Sequence, residues 1–342
     1  MGVATWLGCG LFMLAACSTG PSNGVDSAPA SGAPTAPASG GAATSVSVVP
    51  APSSSVAVVP SGAASGSVLP GADPLPRELG EPCGELGCLR FATAQGALAH
   101  VLLQSAPVVV LAVGEAHAQK GTEAVESATS RFTRELLPLL KGRASDVVLE
   151  LLVADGSCGQ AEKRTAKMQK PVTKRQAKSN QNQFIALGKR AETLSLRPHT
   201  LRPDCDDYQR VAAAGPDGIV EMLQMIATLS EDKMKRILER NRRLEREAMV
   251  LAYGGAIHND VAPSDERKSW SFGPQMKAAT GGRYVELDLI VPEFIKDTPT
   301  WKKLPWYERF DRSQPPAKVT LFRTDDGAYT LIFGRSGGAL SP

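Results

Sequence analysis

Two segments of the chain share one pattern of apolar and polar positions. Residues 108–113 form a continuous apolar run followed by Gly114-Glu115-Ala116-His117, and residues 249–253 form a second run followed by Gly254-Gly255-Ala256-Ile257-His258. Such runs are typical of strands that are buried on both faces of a parallel sheet. Because ligands bind beyond the carboxyl ends of these strands, the pattern places two of the chain's four histidines at a candidate site.

The residues around the first run indicate helices and a second buried strand. Residues 92–104 and 122–140 have the apolar spacing of helices, and residues 146–153 form an apolar run that Glu150 interrupts. A strand, helix, strand order favours a right-handed crossover and parallel pairing of the two strands.

The second half of the chain continues this alternation. Residues 194–201 indicate a short strand, and two helices follow it, one over residues 216–229 and one that Ser230 caps at its N-terminus. Three further runs are strand-like, namely 284–290, 318–323 and 328–334. The sequence therefore predicts an α/β fold with a mostly parallel central sheet, flanking helices, and antiparallel strands at the C-terminal end.

Residues 1–17 have the organisation of a bacterial lipoprotein signal peptide. Their apolar segment ends in Leu14-Ala15-Ala16-Cys17, a lipobox that would leave Cys17 as the lipidated first residue, with palmitate among its acyl chains. The segment is too short to span a bilayer as a permanent helix. Residues 1–10 lack the Lys or Arg that such signals carry, so a cytoplasmic protein with an apolar N-terminus is the alternative.

Residues 18–78 consist mainly of Ala, Pro, Ser and Gly, and this composition cannot bury enough apolar surface to form a core. We therefore predict a disordered tether in front of a single α/β domain over residues 79–342. The expected location is the cell envelope, where Cys17 anchors the protein in a lipid bilayer; we expect the outer membrane, facing the periplasm or the cell surface. The net charge of +3 is too small to argue for a nucleic-acid partner.

Four cysteines remain in the predicted domain, and an even number favours disulfide bonds in an oxidising compartment. We predict the pairs Cys83–Cys88 and Cys158–Cys205, the first because the loop between its cysteines is short. The alternative is one zinc site made by all four cysteines, although the four-residue gap between Cys83 and Cys88 is poor zinc spacing.

A mixed set of imidazoles and carboxylates accompanies the repeated pattern. Glu115 and His117 follow the first run, His258 follows the second, and Glu150 lies within the neighbouring strand. Two histidines with one or two glutamates suit Zn, Mn, Fe or Co and leave positions open for water or substrate. Alternatively, Glu150 is a core carboxylate paired with Arg240, because a buried acid needs a partner. The chain contains no Gly-x-Ser-x-Gly elbow and no phosphate-binding loop.

The order and strand context of these motifs resemble one superfamily. It joins the ChaN-type haem-binding lipoproteins, the erythromycin esterases, and the Tiki and TraB proteins. The motifs concerned are Gly114-Glu115-Ala116-His117, Glu150, Glu239-Arg240-Asn241 and Gly254-Gly255-Ala256-Ile257-His258. The resemblance implies an α/β fold and a site, often around a divalent metal, in which His117, His258, Glu115 and Glu150 take part. It also implies that Arg240 neutralises an anionic group.

Members of this superfamily cleave peptides with a metal, hydrolyse macrolide esters, or bind haem and iron. We expect a metal-dependent hydrolase of peptide or ester bonds, in which Glu115 or Glu150 is the general base and Arg240 stabilises the anion. The alternative is a lipoprotein without enzymatic activity that binds haem or iron, with Tyr253 and Tyr208 as candidate axial ligands. The expected ligand is accordingly a small molecule, a peptide or haem.

Overall fold

The computed structural model describes residues 6–7, 72–105, 107–325 and 327–336. The predicted lipidation site, Cys17, and residues 18–71 of the predicted tether lie outside these ranges. No helix within the described ranges is long and apolar enough to cross a membrane.

The described strands form one mixed sheet. They are β1 (Trp6–Leu7), β2 (Glu81–Pro82), β3 (Leu89–Phe91), β4 (Val110–Glu115), β5 (Ala144–Val153), β6 (Arg197–Leu201), β7 (Met249–Gly255), β8 (Tyr284–Ile290), β9 (Val319–Asp325) and β10 (Ala328–Ile332). Their order is β1-β5-β7-β4-β8-β10-β9-β3-β2, and β6 also pairs with β5. Pairing is parallel from β6 through β5, β7, β4 and β8 to β10, and antiparallel from β10 through β9 and β3 to β2 and between β1 and β5.

This topology confirms the predicted α/β class with a mostly parallel sheet and antiparallel strands at the C-terminal end. Two strands that the sequence pattern does not predict, β2 and β3, extend the antiparallel part beyond β9. Both are short, with two and three residues, and therefore carry almost no periodic pattern.

The strands of the repeated pattern, β4 and β7, are neighbours, and all of their residues are buried. Their register places Gly114 beside Gly254 and Glu115 beside Gly255, so both glycine-histidine segments leave the sheet at the same edge. On its other side β4 pairs with β8, where Asp288 lies beside Gly114. Burial on both faces explains why the two runs contain no alternating polar residues.

Helices cover both faces of the sheet. They are α1 (Ala94–Gln104), α2 (Ala128–Arg131), α3 (Gly159–Thr173), α4 (Asn180–Thr193), α5 (Cys205–Ala213), α6 (Gly218–Arg243), α7 (Gly273–Ala279) and α8 (Pro299–Lys302). The larger core lies on one face, with α1, α2 and α4, and the second core lies on the opposite face, with α6 and α7.

The prediction of two helices divided at Ser230 is wrong, because α6 is a single helix in whose middle Ser230 is buried. The apolar stripe of α6 continues across this serine into the second core, and no glycine or proline interrupts the helix there. One stripe packed against one sheet stabilises one helix.

The helix predicted over residues 122–140 is also wrong in its length and regularity. Ser127 caps α2, so the helix begins only at Ala128. It then passes into a π-helical segment, Phe132–Leu136, and a 3-10 segment, Leu137–Leu140. Pro138 has no amide hydrogen to donate, so regular α-helical bonding cannot continue through it.

Both predicted disulfides, Cys83–Cys88 and Cys158–Cys205, are present. They use all four sulfur atoms, so the alternative of a four-cysteine zinc site is wrong. The second disulfide ties the residue before α3 to the first residue of α5.

Candidate functional site

Glu115 and His117 form a buried carboxylate–imidazole pair at the carboxyl end of β4. The Nδ1 atom of His117 lies 2.5 Å from Oε1 of Glu115, and the residues are 3% and 1% exposed. The other oxygen of Glu115 accepts hydrogen bonds from the hydroxyls of Thr129 (2.6 Å) and Tyr253 (2.8 Å). Every oxygen of this carboxylate is therefore satisfied, which fixes the ring of His117 in one orientation.

The surroundings of His117 make it a stronger base than an ordinary histidine. Burial lowers its pKa, but the hydrogen bond and negative charge of Glu115, with the charge of Glu150, outweigh burial and raise the pKa. Burial, together with the charge of Glu115, also raises the pKa of Tyr253 well above its usual range, so that its hydroxyl stays a hydrogen-bond donor.

Glu150 and His258 form a second pair at the neighbouring strand end. One oxygen of Glu150 accepts a hydrogen bond from the amide of Gly255 (2.6 Å), and the other lies 3.5 Å from Nε2 of His258. The Nδ1 atom of His258 lies 2.6 Å from the carbonyl of Trp270 and therefore carries the hydrogen. Neither Oε1 of Glu150 nor Nε2 of His258 has a hydrogen-bond partner among the described residues.

The glycines of the repeated pattern make room for these carboxylates. A Cβ atom on Gly254 would collide with the carboxylate of Glu150, and one on Gly114 would collide with the side chains of Asp288 and Asn259. Glycine at each of these two positions therefore leaves the space that a neighbouring polar side chain occupies.

A cavity of about 160 Å³ opens between the end of β5 and the segment that joins α3 to α4. His117 and Glu150 line it together with Lys178, Asn180 and Phe184. The ring of His117 meets the ring of Phe184 edge-on, with 5.8 Å between centroids. The cavity therefore brings the imidazole of the first pair and the carboxylate of the second to one small volume.

The metal prediction stays a prediction. The 3.5 Å between His258 Nε2 and Glu150 Oε1 is close to the ~3.4 Å that separates two ligands of one tetrahedral ion with bonds of ~2.1 Å. However, the described residues contain no group of three or more His, Cys, Asp or Glu side chains placed to hold an ion. Two protein donors are fewer than the three of a typical catalytic zinc site.

Arg240 does not join this site. Its guanidinium lies 2.5 Å from Oδ2 of Asp146, near the amino end of β5, where His199 also lies 2.7 Å from Oδ1. Burial alone would raise the pKa of Asp146, but hydrogen bonds from His199, Arg240 and Ser145 hold it well below its usual range. The structure thus contradicts the pairing of Arg240 with Glu150, and the position of the guanidinium gives no support to anion stabilisation at the site.

The other sequence-predicted residues are also placed. Tyr253 donates its hydroxyl hydrogen to Glu115. Tyr208 is buried on α5 near the charge of Glu162, and burial raises the pKa of Tyr208 to about 12. His100 lies on α1 with its ring 5.5 Å from that of Phe91. Three further residues of the site, Thr129, Asn180 and Phe184, are not predicted from the sequence, because they lie on helices whose site-facing positions carry no motif.

Comparison of the chain with protein-family models, curated proteins and solved structures finds no match. The superfamily resemblance of the glycine-histidine motifs therefore stays a prediction.

Proposed function

We propose that this protein is a hydrolase of ester or peptide bonds in which His117 activates water. The observation that carries the proposal is the buried Glu115–His117 pair, whose imidazole lines a cavity at the carboxyl edge of a parallel sheet. A histidine that a fully hydrogen-bonded carboxylate holds in one orientation is well suited to general-base catalysis.

In this proposal Nδ1 of His117 keeps its hydrogen bond to Glu115, and Nε2 accepts a proton from water as the water oxygen attacks the substrate carbonyl. The charge of Glu115 stabilises the imidazolium that forms, as the hydroxyls of Thr129 and Tyr253 hold that carboxylate in place. The imidazolium then returns the proton to the leaving alcohol or amine. Each step uses a residue whose position is fixed by burial, so little reorganisation is needed.

The role proposed for Glu150 and His258 is to hold a divalent ion, Zn, Mn, Fe or Co, next to this base. Such an ion polarises a carbonyl and lowers the pKa of bound water. The chemistry assigned to His117 and Glu115 does not depend on it.

Haem binding, the alternative function, gains no supporting observation. A porphyrin would have to enter the cavity of about 160 Å³ at His117 as a whole, whereas only the scissile bond of an ester or peptide has to reach His117. Tyr253, a candidate axial ligand, donates its hydroxyl hydrogen to Glu115.

We further propose that the domain is a single unit held to a bilayer by lipid on Cys17 and by the tether over residues 18–78. The lipobox and the tether composition support this proposal. Intact-mass measurement on the protein isolated from membranes tests it: a lipid adduct that is absent from Cys17→Ser is expected, and an unmodified Cys17 would contradict it.

The hydrolase proposal is tested with the full chain and two small probes, p-nitrophenyl acetate and a p-nitroanilide dipeptide. His117→Ala should lower the rate on at least one probe by about 10²–10⁴-fold. His100→Gln, a change of the half-buried histidine on α1, is the matched control and should keep the wild-type rate. Equal rates for wild type and His117→Ala on both probes would overturn the proposal.

A further inference from the structure

A second and larger cavity lies on the other face of the sheet. Its volume is about 380 Å³, which falls in the size range of small-molecule sites, unlike the cavity at His117. Glu286 and Asp288 of β8 line it, whereas the alternate residues Val285, Leu287 and Leu289 pack into the larger core. We call this space the β8 cavity.

The wall of the β8 cavity carries more negative than positive charge. Four carboxylates line it, those of Asp260, Glu286, Asp288 and Asp325, together with one guanidinium, that of Arg267. Within the described part of the chain, no Lys or Arg nitrogen lies within 4.0 Å of the carboxylate of Glu286 or Asp288. Buried carboxylates ordinarily have such a cation.

The two β8 carboxylates are only partly hydrogen-bonded. Glu286 is 7% exposed, and one of its oxygens accepts the amide of Val261 (2.7 Å). One oxygen of Asp288 accepts the side-chain amide of Asn259 (3.0 Å). The remaining oxygen of each has no hydrogen-bond donor among the described residues, although both side chains line the cavity.

Another part of the cavity wall is aromatic. Trp301 and Trp306, which are 5% and 2% exposed, line the cavity and meet edge to face with 5.9 Å between ring centroids. Indole faces attract organic cations, and the apolar surface they offer suits a hydrocarbon body more than a bare ion. Consistent with this, no group of three acidic or other metal-ligating side chains suited to an ion is found among the described residues.

We propose that the β8 cavity binds an organic cation, namely a protonated amine carried on an apolar or aromatic body. The ammonium lies between Glu286 and Asp288, and the body of the ligand lies against Trp301 and Trp306. The site is separate from the proposed hydrolase chemistry, because Glu115 and His117 do not line the β8 cavity.

Calorimetric titration of the full chain at pH 8 with benzylamine, and with benzyl alcohol as the uncharged probe of similar shape, tests this inference. Benzylamine should bind saturably at one site, and the affinity for benzyl alcohol should be lower by about tenfold or more. Absence of saturable benzylamine binding, or equal affinity for the two probes, would overturn it.

Variants locate the binding. The double variant Glu286→Gln/Asp288→Asn keeps the shape of both side chains, so it should fold. Because it removes their charge, it should lower the affinity for benzylamine by about tenfold or more. Asp265→Asn, whose side chain is 91% exposed, is the control and should bind as wild type. Equal affinity in the double variant, equal weakening in both variants, or displacement of benzylamine by equimolar ZnCl₂ or MgCl₂ would each contradict the proposal.

Discussion

The two ends of β5 each hold a buried carboxylate, and the two environments differ in how completely the carboxylate is paired. At the amino end Asp146 is bonded by Arg240 and His199, which satisfy both of its oxygens. At the carboxyl end Glu150 faces His258 with an oxygen and a nitrogen that lack hydrogen-bond partners among the described residues. The complete network is structural, since it ties α6 and β6 to the sheet, whereas the incomplete one leaves atoms available to a ligand.

Breaking the complete network should have the largest effect on stability. Arg240→Met removes the guanidinium and leaves the charge of Asp146 buried, which costs about 3–5 kcal/mol in the free energy of unfolding. Urea denaturation measures this cost, and the rate of ester hydrolysis per folded molecule should not change. A loss of rate with unchanged stability would mean that Arg240 belongs to the site after all.

The carboxylates of β8 extend the comparison, because they are buried with still fewer partners. Burial and the charge of Asp260 raise the pKa of Asp288 from 3.8 to about 7, although the hydrogen bond from Asn259 opposes this. Such a group keeps its proton in the folded state at pH values where the unfolded chain has lost it. The stability that the protonated Asp288 contributes is therefore complete below pH 4, and it is lost as the pH rises to about 7, the pKa of Asp288 in the folded state.

Asp288→Asn should accordingly match wild type near pH 4 and exceed it at pH 8, by on the order of 2–4 kcal/mol. Glu286, Asp260, Asp325 and Arg267 face the same cavity and remain in both proteins. Denaturation in urea at the two pH values measures the difference. A variant that is less stable than wild type at pH 8 would show that the carboxylate is favourably paired.

Much of the sheet follows from the sequence, because continuous apolar runs determine which strands are buried on both faces. The strand-like run over 284–290, which Glu286 and Asp288 interrupt, coincides with β8, and the two glycine-histidine segments emerge side by side as expected. Partner choice among charged residues could not be predicted in the same way. Asp146 and Glu150 both lie in the run over 146–153, and only the packing of α6 against β5 decides which of them Arg240 meets.

A cavity is a further feature that the sequence does not reveal. The β8 cavity joins β8 and β10 to α8 and to the loop after β7, and no periodic pattern links residues so distant along the chain. Only Glu286 and Asp288, two polar residues within an otherwise apolar run, could have indicated it.

Crowding at the incomplete network should have a smaller effect on stability. Gly254→Ala introduces a Cβ against the Glu150 carboxylate, which has to move, at a cost of about 1–3 kcal/mol. The control is Ser130→Ala, a small change on α2. Gly281→Ala is not suitable, because φ is +61° at that glycine and alanine would strain the backbone there. Unchanged stability of Gly254→Ala would show that Glu150 is free to leave its position.

The smallest effect is expected from Glu150→Gln, which keeps the shape of the side chain and its bond to the Gly255 amide. Its free energy of unfolding should stay within about 1 kcal/mol of wild type, since the amide keeps the hydrogen bond to Gly255. Elemental mass spectrometry after incubation with divalent ions should show less bound metal than in wild type. Equal metal in both proteins would remove Glu150 from the proposed ion site.

The most direct test of the central claim compares Glu115→Gln with Arg240→Met in one ester-hydrolysis assay, with each rate divided by the concentration of folded protein. If the Glu115–His117 pair is the catalytic base, Glu115→Gln loses activity by about a hundredfold or more while Arg240→Met keeps it. A Glu115→Gln variant as active as wild type, or an inactive but folded Arg240→Met variant, would contradict the account.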